Sequence, residues 1–180
     1  MHAAVLKPAV WLVVAAALLQ SVVDAGSAFH IDLSGASIGG AVAVTNVKDF
    51  SSTKMTIDNV NITDSVTISR VENTTLAVSM TNLKTDKVTI DNVVDGFVDT
   101  LEVKDLTVNN LKVSDMWATY FRSLVVTEIV CDGTFNISHV GCVEKVWLNN
   151  IDAGKLVLFG EEVTELDWCV VVSSNIGALL

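Results

Sequence analysis

The chain has 180 residues, of which 51% are hydrophobic and only one is proline, and its formal net charge is −10. A nucleic acid or an anionic membrane surface would meet the wrong sign of charge, and no basic cluster offsets it. We therefore expect no nucleic-acid partner and disfavour an anionic membrane surface, whereas solubility or a cationic partner is favoured.

Residues 1–28 have the pattern of a cleaved secretory signal peptide. Lys7 precedes an apolar run at 9–19, and small residues follow at 25–28. The uninterrupted apolar run has 11 residues, against about 20 needed to span a bilayer. We expect cleavage after Ala28, with Ala25 as the second choice, no membrane span, and a secreted, extracellular protein.

From residue 42 onward, the pattern apolar-x-apolar-x-polar-apolar recurs ten times, as in MTIDNV at 55–60. The ten hexads begin at residues 42, 55, 66, 78, 88, 101, 111, 124, 135 and 146. Neighbouring hexads start 10 to 13 residues apart, but every second hexad follows after 22 to 24 residues. Because each coil of a solenoid must lie on the coil below it, this constant sum predicts coils of about 23 residues with two short strands each.

Composition also favours strands, since Thr, Val and Ile suit pleated strands while Asn and Asp suit corners. The nearest approach to a helical pattern is MWATYFRSL at 116–124, which we expect to be one short helical turn or an irregular bulge. We predict an all-β, single-domain β-solenoid that resembles parallel β-helices. Its expected parts are an N-terminal cap at 29–41, repeats at 42–160 and a C-terminal cap at 161–180.

The hexad positions predict which side chains face inward. The first, third and sixth positions are apolar and should fill the core, and the second should point outward. The fifth position is mostly Asn or Asp, so we expect the chain to bend there and the polar side chains to satisfy backbone groups in a structural ladder. A Ca²⁺ site is disfavoured, because Arg and His interrupt these acidic columns.

No catalytic constellation is apparent. After the signal peptide there are two histidines, His30 and His139, both expected at the surface, and the few Cys and His residues lack the close spacing of a zinc site. An acidic cluster near the C-terminus is interpreted as a solvated end cap rather than a catalytic or sugar-binding patch. It comprises Glu161, Glu162 and Glu165 beside Trp168. We predict no enzymatic activity, cofactor or metal; a polysaccharide hydrolase or lyase of the β-helix type is the enzymatic alternative.

Secretion makes disulfides and glycosylation possible. Among the three cysteines, we favour a disulfide between Cys142 and Cys169 from adjacent coils. Cys131 is then left as a buried thiol or as a link between two chains. The candidate N-glycosylation sites are the three Asn-x-Ser/Thr sequons at Asn61, Asn73 and Asn136.

The outward second positions differ between the two strand series. One series reads Ala43, Thr67, Thr89, Lys112, Asn136, and the other reads Thr56, Ser79, Glu102, Val125, Trp147. The second series becomes more apolar towards the C-terminus, which either marks an interaction surface or is covered by a final segment that folds back.

We predict a non-catalytic protein that binds a protein or glycan partner, or self-associates in extracellular assembly, through a rigid strand face. The candidate contact residues are Glu102, Lys104, Val125, Thr127, Trp147 and Asn149. The alternative is an extracellular carrier of a lipid or another apolar ligand, built on an antiparallel sheet with a hollow interior.

Overall fold

A computed structural model describes residues 28–158, 165–172 and 174–178 as a β-solenoid of about six turns. The expected signal peptide, apart from Ala28, lies outside these residues, as do Glu161 and Glu162. The strands are β1 Ala28–Asp32, β2 Ser37–Ile38, β3 Val42–Lys48, β4 Ser52–Ile62, β5 Ser65–Glu72, β6 Thr75–Lys84, β7 Lys87–Val94, β8 Phe97–Val108, β9 Asn110–Leu158, β10 Glu165–Val172 and β11 Asn175–Ile176. The predicted all-β solenoid is therefore confirmed.

Every strand pairing is parallel and joins one coil to the next. Met55 lies beside Val78, Val78 beside Leu101, and Leu101 beside Leu124, in steps of 23 residues. The other strand series keeps a similar register, with Val42 beside Val66. The carrier alternative required an antiparallel sheet, and this prediction is wrong. Each hexad pairs with the second hexad after it, in the next coil, and not with its neighbour in the chain.

Strand β9 is far longer than the others, with 49 residues. Its section 110–117 pairs with β7, and its section 120–131 pairs with β8. A later section, 142–149, pairs with β10. The segment therefore winds through about two coils, and both strand series continue through it.

The core is filled by the apolar columns that the hexads predict. All ten sixth-position side chains are buried. They are Val47, Val60, Val71, Leu83, Val93, Leu106, Met116, Ile129, Val140 and Ile151. Phe121 and Phe135 are the largest of the fully buried side chains. Since apolar side chains meet in the middle of the coil, the hollow interior of the carrier alternative is not observed in the described residues.

The bend at the fifth position has a specific backbone conformation. All ten fifth-position residues have a positive φ, between 49° and 60°. They are Asn46, Asn59, Arg70, Asn82, Asn92, Asp105, Asp115, Glu128, His139 and Asn150. Asn, Asp and His are enriched among residues that adopt this left-handed region, which explains the polar column better than the expected bonds to the backbone.

Polar side chains at the bends contact their counterparts one coil away. The Asn82 amide donates to Asn59 Oδ1 at 2.6 Å, and the Asn73 amide donates to Asp49 Oδ1 at 2.9 Å. These hydrogen bonds join side chains rather than a side chain and the backbone, so the ladder links successive coils along the solenoid axis.

Residues 116–124 form strand rather than the expected short helical turn or irregular bulge. Met116 keeps the sixth position of its hexad and is buried, and Trp117 lies beside Val94. A register shift occurs one coil earlier, where Leu76 lies beside Val98 but Ala77 lies beside Thr100. The extra residue is therefore Asp99, which places a bulge in β8.

Candidate interaction surface

The six predicted contact residues lie on outward-facing positions of one strand series, here called the display face. Glu102 lies beside Val125 and Lys104 beside Thr127 in adjacent coils. Further along the series, Trp147 and Asn149 stand two residues apart on the same strand section. None of the six is buried. The pleat therefore presents all of them on one side of the sheet.

The display face combines apolar and charged groups. The side chain of Trp147 is 36% exposed, and Val125 is half-buried among its neighbours. Lys104 Nζ lies 3.7 Å from Glu128 Oε2, and both side chains are about half exposed. Such a surface has an apolar anchor with polar groups around it, which is the composition of many protein interfaces.

Strand β10 extends this face instead of covering it. Trp147 lies beside Val170, and Asn149 lies beside Val172, in the parallel pairing of β9 with β10. Val171 and Val172 are themselves exposed. The folded-back arrangement is therefore not found in residues 165–172, because this segment keeps the 23-residue step.

A second surface, the aromatic corner, comprises Phe97, Trp117 and Tyr120. The rings of Phe97 and Tyr120 stack with centroids 5.6 Å apart and an interplanar angle of 9°. The Arg122 guanidinium lies 5.5 Å from the centre of the Phe97 ring and donates to Asp99 Oδ1 at 2.7 Å. This ion pair holds the cation against the ring pair.

Two polar contacts complete the aromatic corner. The Tyr120 hydroxyl donates to Glu144 Oε2 at 2.9 Å. The Trp117 indole stacks with the His139 ring at 6.4 Å, and His139 Nδ1 lies 3.6 Å from Asp115 Oδ1. Burial raises the pKa of Asp115, but hydrogen bonds from Ser114 and Lys112 outweigh this effect and keep the pKa below its usual value.

The sequence prediction missed the aromatic corner because it treated residues 116–124 as a short helical turn or an irregular bulge. The 23-residue step would have placed Phe97 beside Tyr120 and Val94 beside Trp117. Applying this period to the positions between hexads, and not only within them, was the available signal.

The predicted disulfide between Cys142 and Cys169 is wrong for this register. Glu165 lies beside Cys142, whereas Cys169 lies beside Val146, four residues further along the strand. At about 3.3 Å per residue, the two thiols are too far apart for a bond. No disulfide joins the three cysteines. Cys131 is buried, and this burial raises the pKa of its thiol.

The three sequons differ in their surroundings. The Asn61 side chain is exposed on β4. The Asn73 amide is already engaged with Asp49. Asn136 is half-buried with a buried Oδ1, and Ser138 of the same sequon is buried. Access for a glycan is therefore best at Asn61.

Both predicted surface histidines, His30 and His139, are partly exposed. No group of three or more His, Cys, Asp or Glu side chains converges within the described ranges. An open groove of about 310 Å³ lies at the last corner beside the closely approaching backbones of Gly154 and Gly177. Over the described part of the chain, no helix has the length and apolarity needed to cross a membrane.

Comparison of the chain with known protein families, with curated proteins and with solved structures found no match. Any assignment of function therefore depends on the geometry of the surfaces described above.

Proposed function

We propose that the protein is a secreted, non-catalytic β-solenoid that binds a protein or glycan partner, or assembles with itself, through the display face. The observation that carries this proposal is the alignment of the six display-face side chains on one side of a continuous parallel sheet, with Trp147 exposed. Exposed aromatic side chains are over-represented among the residues that dominate binding energy.

Rigidity is the physical advantage of such a face. Each coil is held by a parallel ladder on both sides, and the apolar columns fill the interior. Side chains presented by this backbone lose little conformational freedom when a partner docks, so a smaller part of the interaction energy is spent on ordering. Repeat proteins use extended surfaces in this way.

The proposal is tested by placing a carboxylate on the display face. Val125→Asp and Trp147→Asp are compared with Thr67→Asp, which introduces the same carboxylate at an outward position of the other strand series. Sedimentation analysis reports the oligomeric state, and affinity capture from extracellular fluid reports partners.

The proposal is supported if the protein forms an oligomer, or captures an identified partner, and both display-face variants abolish this association. Thr67→Asp should retain it. A strictly monomeric protein whose extracellular partners are unchanged by Val125→Asp and Trp147→Asp would contradict the proposal. Unchanged melting temperatures of the variants exclude unfolding as the cause of a loss.

A further inference from the structure

We infer that the aromatic corner is a second binding surface, separate from the display face, and that its partner is a basic polypeptide segment carrying Arg or Lys. The backbone contacts show how the corner is built. Asp95 N donates to Trp117 O at 3.1 Å, and Tyr120 N donates to Gly96 O at 3.2 Å. These bonds place the bend around Asp95 directly beside the part of strand β9 that lies between Trp117 and Tyr120.

The aromatic rings are accessible to a partner. The Trp117 side chain is 51% exposed and the Tyr120 side chain is 41% exposed, although each also stacks with a neighbouring ring. Trp is the aromatic side chain that attracts cations best, followed by Tyr. When an apolar or cationic group covers an exposed indole, apolar surface is removed from water and the ring can attract the cation. Both effects favour binding.

The charge around the rings selects a cation. Four carboxylates, those of Asp95, Asp99, Asp115 and Glu144, lie at the corner or contact its side chains, and Asp95 and Glu144 are exposed. Two basic side chains pair with this group, Arg122 with Asp99 and Lys112 with Asp115. Lys112 also lies 3.8 Å from Asp91 Oδ2, so the carboxylates of this group outnumber its basic side chains by five to two. The whole chain carries −10.

The accessible rings and the excess of carboxylates together favour a basic peptide over a glycan. A guanidinium can lie over an indole face while pairing with a nearby carboxylate, so both features of the corner contribute to its binding. A neutral sugar would use the rings but gain nothing from the net negative charge. An acidic glycan would be repelled.

The test uses a short synthetic peptide, acetyl-Arg-Gly-Arg-Gly-Arg-amide, with the Glu-for-Arg peptide as the reversed-charge control. Binding to the purified protein is followed by titration calorimetry and by tryptophan fluorescence. Trp117→Ala should weaken binding about tenfold, in the range of cation–π contributions. Val130→Ala trims another exposed apolar side chain, which belongs to neither surface, and should leave the affinity unchanged.

A charge variant tests the electrostatic half independently of ring removal. Glu144→Gln keeps an acceptor for the Tyr120 hydroxyl but removes one carboxylate charge. We expect binding to weaken about threefold, and the difference from wild type to shrink in 0.5 M salt, since exposed charges are screened there.

Three results would overturn the inference. The first is no binding of the Arg peptide by the wild-type protein, and the second is an equal loss of affinity in Trp117→Ala and Val130→Ala. The third is binding of a neutral N-acetylglucosamine hexamer that depends on Trp117 while the Arg peptide does not bind. None of them bears on the display face, whose own test uses Val125→Asp and Trp147→Asp. The two proposals therefore fail separately.

Discussion

The N-terminal and C-terminal coils share one backbone but present different outward surfaces. At one corner position the column reads Lys48, Glu72, Val94, Trp117 in successive coils. Lys48 and Glu72 form an ion pair at 2.7 Å in the early coils, whereas Trp117 is exposed in a later coil.

The display column changes in the same direction. It begins with Thr56 and Ser79, and continues through Glu102 to Val125. Since the buried columns continue from the early to the late coils, the fold does not require apolar residues at the outward positions of the later coils. The comparison teaches that outward columns are free to vary, and that core packing does not require the apolar residues on them, which is the premise of the proposed interaction surfaces.

The largest expected effect tests whether both regions share one well-packed core. Ile57 and Leu148 are fully buried in an early and a late coil. Replacing either with Ala should lower the free energy of unfolding by about 2–5 kcal/mol, because a cavity remains. Chemical denaturation measures this loss.

The control for the core variants is Thr56→Ala, a neighbouring outward position that should change stability by no more than about 0.5 kcal/mol. A small loss in Leu148→Ala beside a large loss in Ile57→Ala would break the comparison, since the late coils would then lack the same tight core.

The next effect concerns the positive-φ column, which is Asn-rich in the early coils and mostly charged in the later ones. Asn82→Ala should cost about 1–2 kcal/mol, because Ala is sterically disfavoured in the left-handed region and the bond to Asn59 is lost. Arg70→Asn should stabilise the protein by about 0.5–1 kcal/mol, because Asn adopts the left-handed backbone conformation of this position with less strain than Arg.

Thermal unfolding of both variants measures the change, with Arg70→Ala as the matched control. Ala meets the same steric cost as Arg at φ 56°, so this control should be nearly neutral. Stabilisation by Arg70→Ala equal to that by Arg70→Asn would show that removing the Arg side chain, and not relieving the backbone, is responsible.

A smaller effect is the pH dependence at Asp115, in the later coils. Its pKa lies below the usual carboxyl value of 3.8 in the folded protein. The stabilisation is therefore complete above that value and is lost as pH falls through the folded pKa. The side chain is 39% exposed, so the contribution should be below about 1 kcal/mol.

The Asp115→Asn variant isolates this term, because Asn also tolerates the left-handed backbone. The stability difference from wild type, measured by denaturation between pH 2 and pH 7, should be largest at neutral pH and shrink below pH 3.8. A difference that grows on acidification would contradict the assigned direction of the pKa shift.

The last prediction concerns modification rather than stability. In a secreting host that glycosylates, occupancy should be highest at Asn61 and lowest at Asn136, following the exposure of the two side chains. Glycopeptide mass spectrometry of wild type and Asn61→Gln measures this order. Full occupancy at Asn136 would show that its half-buried position does not restrict the glycan.

The period and the identity of the core columns were readable from the sequence because each coil repeats a local rule. An apolar side chain at the first, third and sixth hexad positions suffices to predict burial, and Val47 through Ile151 follow it. The display face was predicted for the same reason, since alternation along a strand places Glu102, Val125 and Trp147 outward.

Residues between the hexads were decided by tertiary structure. The bulge at Asp99, the stacking of Phe97 on Tyr120 and the four-residue offset between Cys142 and Cys169 all depend on how one coil meets the next. The sequence alone thus determined which side of each strand is buried, because that choice follows from local alternation. Register between coils decided which outward side chains meet, because it depends on corner lengths and bulges that no single hexad specifies.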